Sequence, residues 1–189
     1  MAPWGSSHVA SSHFSNADLL AIHGLSSVSA RRYSNGSGLN TGWALGRRWM
    51  VTLRRALRTD VREIMRVRYA VQENRLTSRV ISDEEVVHAI EQSGRGWVVE
   101  RENKVVGFAI GNAETGNIWA LFVDPERQAQ GHGRRLHDEM VAWLWSRGLR
   151  RLWLSTEPGT RAQGFYERAG WQNCGSLPSG ELRFELNAP

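Results

Sequence analysis

Val123-Asp124-Pro125-Glu126-Arg127-Gln128-Ala129-Gln130-Gly131-His132-Gly133-Arg134-Arg135-Leu136 is the stretch that decides how this chain is read. The apolar run Asn117 to Val123 before it reads as a strand that stops at Asp124-Pro125. A short turn spelling Gln-x-x-Gly-x-Gly follows. A helix begins at once, with Leu136, Met140, Trp143 and Leu144 on one face. Two glycines let the backbone turn tightly and approach a ligand closely. The unpaired amides of a helix's first turn, at its positive dipole end, favour a phosphate. The residues alone therefore imply an anion site at a strand-turn-helix junction. The plainer alternative is a tight glycine turn before an ordinary amphipathic helix.

Two common phosphate motifs do not fit. A P-loop needs Lys and a hydroxyl after its last glycine, and here Arg134-Arg135 follows Gly133. The dinucleotide fingerprint needs a third glycine where Leu136 stands. What remains, Gln-x-x-Gly-x-Gly after a Val-x-Pro strand end, resembles the acetyl-CoA pyrophosphate loop of the GNAT superfamily of acyl-CoA N-acyltransferases. A second segment resembles the same family. Arg150-Arg151-Leu152-Trp153-Leu154-Ser155-Thr156 alternates as a strand. Ala162-Gln163-Gly164-Phe165-Tyr166 and then Gly170-Trp171 follow in family order. The resemblance covers about residues 50–189. It departs at Gly159, where many relatives carry Asn; Pro158-Gly159-Thr160 reads instead as a turn with a Thr helix cap.

The resemblance implies an α/β fold: a central mixed sheet with helices on both faces. It implies that the strand ending at Val123 splays from the next parallel strand, with the pantetheine arm of acetyl-CoA lying against the backbone of Leu121, Phe122 and Val123. The Val123 amide would polarise the thioester carbonyl. The amides of Gln128, Ala129, Gln130, Gly131, His132, Gly133 and Arg134 would take the pyrophosphate. The Arg134 and Arg135 side chains would either add charge-assisted bonds or stay solvated. Tyr166 matches the family tyrosine that often protonates the departing thiolate, and a core tyrosine is the plainer reading. The position where some relatives keep a basic Glu falls on Asn117, which cannot be a base. Glu114, Glu73, Glu181 or a bound water are then the alternatives. Acceptor recognition would fall to the first two helices and their connection, Val71-Gln72-Glu73-Asn74-Arg75-Leu76.

The expected activity is acetyl-CoA-dependent N-acetylation of a primary amine on a small molecule or peptide. A non-catalytic acyl-CoA-sensing module on the same fold is the runner-up. A nucleic-acid binder using its arginines is a third and weaker reading. Residues 1–49 hold four Arg and one Asp, a balance of +3, so residues 50–189 carry +2 of the net +5. That is little for a nucleic-acid face. Cys174 is the only cysteine, which excludes an internal disulfide and fits a reducing, cytoplasmic setting. No apolar run approaches the roughly 20 residues that span a bilayer, and no metal-ligand spacing is seen. A homodimer is compatible with the pattern.

The chain of 189 residues suits one domain plus an appendage. Residues 1–49 are rich in Ser, Gly and His and lack periodicity. They are expected to be a non-globular extension. Either translation starts at Met50, or a transit peptide is processed near Ala30-Arg31-Arg32-Tyr33-Ser34, or the segment is a functional arm. From Met50 the predicted order begins with a strand over Val51 to Arg58 and a helix capped by Asp60 through about Val71. A second helix opens with a Ser82/Glu85 capping box, followed by a hairpin turning at Glu102-Asn103. The Asn117 strand, the helix from Gly131 to about Arg147, the Arg150 strand, the helix Arg161 to Ala169 and two closing strands complete it.

Overall fold

A computed structural model describes residues 50–71 and 80–189. Residues 1–49 and 72–79 lie outside the described residues. The N-terminal extension, Glu73 and all but Val71 of the candidate acceptor connection fall there.

Strand β1 (Val51–Arg55) is shorter than predicted and is followed by a 3-10 turn (Arg58–Asp60) and helix α1 (Val61–Ala70). Asp60 was expected to cap α1 through its side chain, and it does not. Its carboxylate instead accepts from both terminal nitrogens of Arg54, at 2.7 and 2.8 Å, and from the Leu57 amide at 2.7 Å. The Arg54 bond outweighs burial and holds Asp60 below the usual carboxylate range. The residue thus locks the β1–α1 corner. The predicted capping box on α2 (Asp83–Glu91) is present: Glu85 N donates to Ser82 Oγ, and Ser82 N donates to Glu85 Oε2.

β2 (Gly94–Arg101) and β3 (Lys104–Asn112) form the expected hairpin. Both turn residues, Glu102 and Asn103, have positive φ (56° and 61°), as a two-residue turn matched to strand twist requires. β4 (Ile118–Val123) returns antiparallel along β3. Then come α3 (His132–Ser146), β5 (Arg151–Thr156), α4 (Arg161–Arg168), β6 (Gln172–Ser176) and β7 (Leu182–Asn187). Thr160 caps α4 as predicted, accepting from Gln163 N at 3.3 Å.

The expected mixed sheet is built from two antiparallel halves, in the orders β1-β2-β3-β4 and β5-β7-β6. They meet in parallel at one bridge, Asn117 with Trp153. Trp153 N donates to Gly116 O at 3.0 Å, and the Asn117 side chain donates to Trp153 O at 3.3 Å. Beyond that bridge no further β4–β5 pairing occurs among the described residues, so the two strands part toward their C-terminal ends.

Alternation sorts the core into two layers. Leu121, Val123, Leu136, Met140, Leu152, Leu154, Phe165, Tyr166 and Phe184 pack together on the α3/α4 face. Ala56, Ile64, Val67, Val86, Ile90, Val98, Phe108, Ala120 and Phe122 pack on the α1/α2 face. Helices therefore cover both faces, as the pattern implied. No helix among the described residues is long and apolar enough to cross a membrane.

Candidate active site

The site begins where β4 ends. The amide of Asp124 donates to Val106 O at 2.9 Å, which sets the phase of the β3–β4 ladder. With Val123 opposite Gly107 and Phe122 opposite Phe108, strand alternation turns the peptide groups of Asp124, Phe122 and Ala120 toward β3. Those of Val123 and Leu121 point the other way, into the gap where β5 has parted. Leu121 and Val123 thus offer backbone groups to a ligand in the gap. Phe122, expected beside them, does not: its peptide is taken by the ladder and its side chain is buried in the α1/α2 layer.

Asp124 also shapes the chain's exit. Its carboxylate accepts from Glu126 N at 3.1 Å and from Arg66 of α1 at 3.1 Å. A 3-10 turn over Pro125–Arg127 follows. The loop then closes through two left-handed residues, Ala129 (φ 59°) and Gly131 (φ 79°). Gly131 is the residue before α3, and no side chain caps the helix there. Nothing lies within 4 Å of where a Gly131 Cβ would sit, so the turn has open space before it. Uncapped first-turn amides, a positive helix end and open space together make an anion cradle.

Of the two outcomes open for the Arg134 side chain, a phosphate contact or solvent, the structure shows a third partner: its guanidinium is bonded to Asp138 one turn along at 2.9 Å. Gln128 leans back toward Val123 O at 3.5 Å. Gln130 is held by Arg101 from the end of β2 at 2.9 Å, a contact with no signature in the sequence. His132 is buried, and neither ring nitrogen has a partner among the described residues. Burial, with Arg135, Arg101 and Arg127 nearby, holds its pKa below the ordinary histidine value, so it stays neutral.

Tyr166 is fully buried in the same layer as Leu121 and Val123. Its ring meets Trp171 edge-on at 5.4 Å, Phe165 at 5.2 Å and Phe184 at 6.3 Å. Yet its hydroxyl has no hydrogen-bond partner among the described residues. Burial raises its pKa well above that of a free phenol. A buried hydroxyl without a partner costs stability of order 1–3 kcal/mol, so pure packing does not account for Tyr in place of Phe. Beside it, His137 accepts from the Trp171 indole at 2.9 Å through Nε2, while Nδ1 meets Asp138 at 2.8 Å. An acceptor Nε2 puts the ring proton on Nδ1 and makes the imidazole neutral. Burial, only partly opposed by Asp138, lowers the His137 pKa in agreement. Trp171 closes the second motif in the sequence, but its partner His137 carried no signal there beyond adjoining Leu136 and preceding Val141 by one turn on the buried face.

The uncapped amides at Gly131, the outward peptides of Leu121 and Val123, and the unpartnered Tyr166 hydroxyl fit a phosphorylated thioester such as acetyl-CoA. Comparisons with known proteins bear on the family and the fold. The acetyltransferase (GNAT) family model matches residues 58–171. The mycothiol acetyltransferase of Beutenbergia cavernae is 41% identical over 61 residues, 32% of this chain and 20% of that protein. The ribosomal protein bS18-alanine N-acetyltransferase of Haemophilus ducreyi is 32% identical over 73 residues, 37% of this chain and 50% of that one. The matches therefore span about a fifth and a half of these relatives. The structure of PaiA N-acetyltransferase from Thermoplasma acidophilum, in complex with coenzyme A, superposes with a TM-score of 0.64 at 13% identity, covering 74% of this chain and 99% of that one. At that identity the likeness speaks for the fold. With the family model matching more than half of its length, this chain belongs to the acetyltransferase (GNAT) family.

Proposed function

We propose that the protein is an acetyl-CoA-dependent N-acetyltransferase that moves the acetyl group directly onto a primary amine of a small molecule or peptide. The observation that carries this reading is the cradle: an uncapped helix start behind a left-handed Gly131, set at the end of the strand whose outward peptides line the β4–β5 gap. Bound acetyl-CoA supplies an activated thioester. Loop amides from Gln128 to Arg134 hold its pyrophosphate. Leu121 and Val123 align the pantetheine arm, and the Val123 amide faces the carbonyl oxygen where negative charge develops. Tyr166 keeps its proton at any ordinary pH, the form an acid must have. A buried phenol yields that proton reluctantly, so transfer comes late, when the leaving sulfur carries most of its charge.

One relative is named for a ribosomal-protein alanine and another for mycothiol. A peptide amine and a small-molecule acceptor both stay within the proposal. A cytoplasmic setting is inferred from the single, exposed Cys174.

Calorimetric titration of the full chain with acetyl-CoA, joined to thiol release across an amine panel, tests the reading. Saturable binding with amine-dependent release is expected. Absence of binding at physiological salt refutes it. Binding without release on any amine replaces it with an acyl-CoA sensor.

A further inference from the structure

Direct transfer needs a group to take the proton from the attacking amine, and the sequence left that group open between Glu114, Glu73, Glu181 and a bound water. The structure separates them by place. Glu114 is exposed in the turn before β4. Val123 is at the strand's other end, about 20 Å away at roughly 3.3 Å per residue. Glu73 lies outside the described residues. Asn117 spends its side chain on Trp153 O.

Glu181 ends the turn that leads into β7 and reaches β5 through Ser155. The turn joining β6 to β7 is closed at its base by Leu177 N on Glu181 O (2.7 Å) and by Gly180 N on Leu177 O (2.9 Å). The Glu181 backbone is thereby fixed. Its carboxylate oxygen Oε2 accepts from Ser155 Oγ at 3.1 Å and from Ser179 Oγ at 3.4 Å. Oε1 takes no hydrogen bond among the described residues. Ser155 is buried on β5, two residues beyond the Trp153 bridge where β5 leaves β4. Arg183, paired with Ser155 in the β5–β7 register, is occupied by Glu185 at 2.9 Å and by the Trp153 ring at 4.7 Å. Arg151 reaches Glu185 as well, at 3.6 Å.

The decisive point is which face these groups occupy. Leu152, Leu154, Leu182, Phe184 and Tyr166 belong to the α3/α4 layer or pack against it. Trp153, Ser155, Glu181 and Arg183 alternate with them and therefore face the α1/α2 side. Tyr166 thus belongs to one face of the sheet, and Glu181, through Ser155, to the other face of β5, the strand that borders the gap. Addition of the amine and expulsion of the thiolate from one tetrahedral carbon need a base at the nitrogen and an acid at the sulfur, two different atoms, so the two groups must stand apart.

Resting on the N-acetyltransferase reading above, we propose that Glu181 is the general base for the acceptor amine and that Ser155 is its positioning residue. The amine nitrogen forms the C–N bond to the acetyl carbon, and its proton passes to Glu181. The C–S bond breaks with its electron pair on sulfur, which takes the Tyr166 proton. Glu181 then releases its proton to water, and Tyr166 regains one from water.

The test uses the full chain, acetyl-CoA, and whichever panel amine gives the fastest thiol release. Glu181→Gln is expected to lower kcat/KM by about 10²–10⁴-fold at neutral pH. It should leave acetyl-CoA affinity within twofold. Ser155→Ala should cost roughly tenfold, mostly in kcat. Full activity in Glu181→Gln with an unchanged pH profile overturns the assignment, as does transfer of the loss to Glu73→Gln. If Glu181→Gln melts early, Glu181→Asp and Ser155→Ala decide, and wild-type rates in both overturn it. A wild-type protein that binds no acetyl-CoA refutes the underlying function and removes this base with it. One that binds and turns over, but ignores Glu181, refutes the base alone.

Discussion

In the proposed reaction Tyr166 acts through a single hydroxyl. Tyr166→Phe keeps the contacts with Trp171, Phe165 and Phe184 and removes the one unpartnered polar atom. Turnover is expected to fall by about 10²–10⁴-fold with little change in acetyl-CoA affinity, because the interaction forms mainly in the transition state. The variant should melt no earlier than the wild type and can melt later, since an unsatisfied buried group is gone. Steady-state kinetics with calorimetry and a thermal melt check all three; turnover within twofold of wild type removes Tyr166 from the acid role. Gly131 makes a second case. At φ 79° any other residue is strained by about 1 kcal/mol, but no atom blocks the added side chain. Gly131→Glu should therefore fold, melt slightly early, and lose acetyl-CoA binding, because a carboxylate then faces the pyrophosphate. Unchanged affinity in a folded variant contradicts the cradle.

At the level of elements, the loop between β4 and α3 is held from outside itself. Arg66 on α1 ties Asp124 at the start, and Arg101 on β2 ties Gln130 in the middle. The cradle is thus fixed by elements far away in sequence, which limits the entropy a bound phosphate must remove. Helix α2 contributes differently, as a lid on the α1/α2 core layer with Val86, Ala89 and Ile90 buried. Its start depends on the reciprocal Ser82–Glu85 bonds. Ser82→Ala is expected to cost about 1 kcal/mol, read as a shifted denaturation midpoint with unchanged slope. No loss of stability would mean that α2 is held by packing alone.

Across the whole molecule, the two half-sheets share little more than the Asn117–Trp153 bridge, and the α3/α4 core layer must hold them together. His137 sits in that layer, linked to Trp171 and Asp138. Its folded pKa lies below the ordinary value of 6.5 because burial outweighs Asp138. The unfolded chain takes up a proton near pH 6.5, while the folded one resists. Stability is therefore complete above about pH 6.5 and falls as pH drops toward the lowered folded value. His132, shifted the same way, adds to the slope. Melting temperatures taken from pH 7.5 to 5 should decline, and less steeply in His137→Phe. That variant should also be less stable at pH 7.5, by about 1–3 kcal/mol, because the buried Trp171 N–H loses its acceptor. An unaltered slope contradicts the neutral, Nδ1-protonated ring.

The order of elements, the hairpin at Glu102-Asn103, the Ser82 and Thr160 caps and the loop before α3 were all legible along the chain. Each rests on neighbours within a turn or a strand, where periodicity, glycine and capping residues act directly. The family motifs were legible for the same reason, being contiguous runs. Asp60 was misread because Arg54 and the Leu57 amide take its carboxylate before the helix can. Phe122 could not be told from Leu121 and Val123 until the ladder with β3 fixed which peptides face outward. The Arg134 side chain stood open between phosphate and solvent until α3 placed Asp138 one turn away. Glu181 was one of several carboxylates until the β5–β7 register set it beside Ser155, on the face opposite Tyr166. Contacts across 26 or more residues depend on register and on which face each strand presents. A shift of one residue would reverse that face without changing any local pattern. The chain's local grammar names the loop and the phosphate chemistry proposed for it, and the pairing of distant strands decides which side chains can act there.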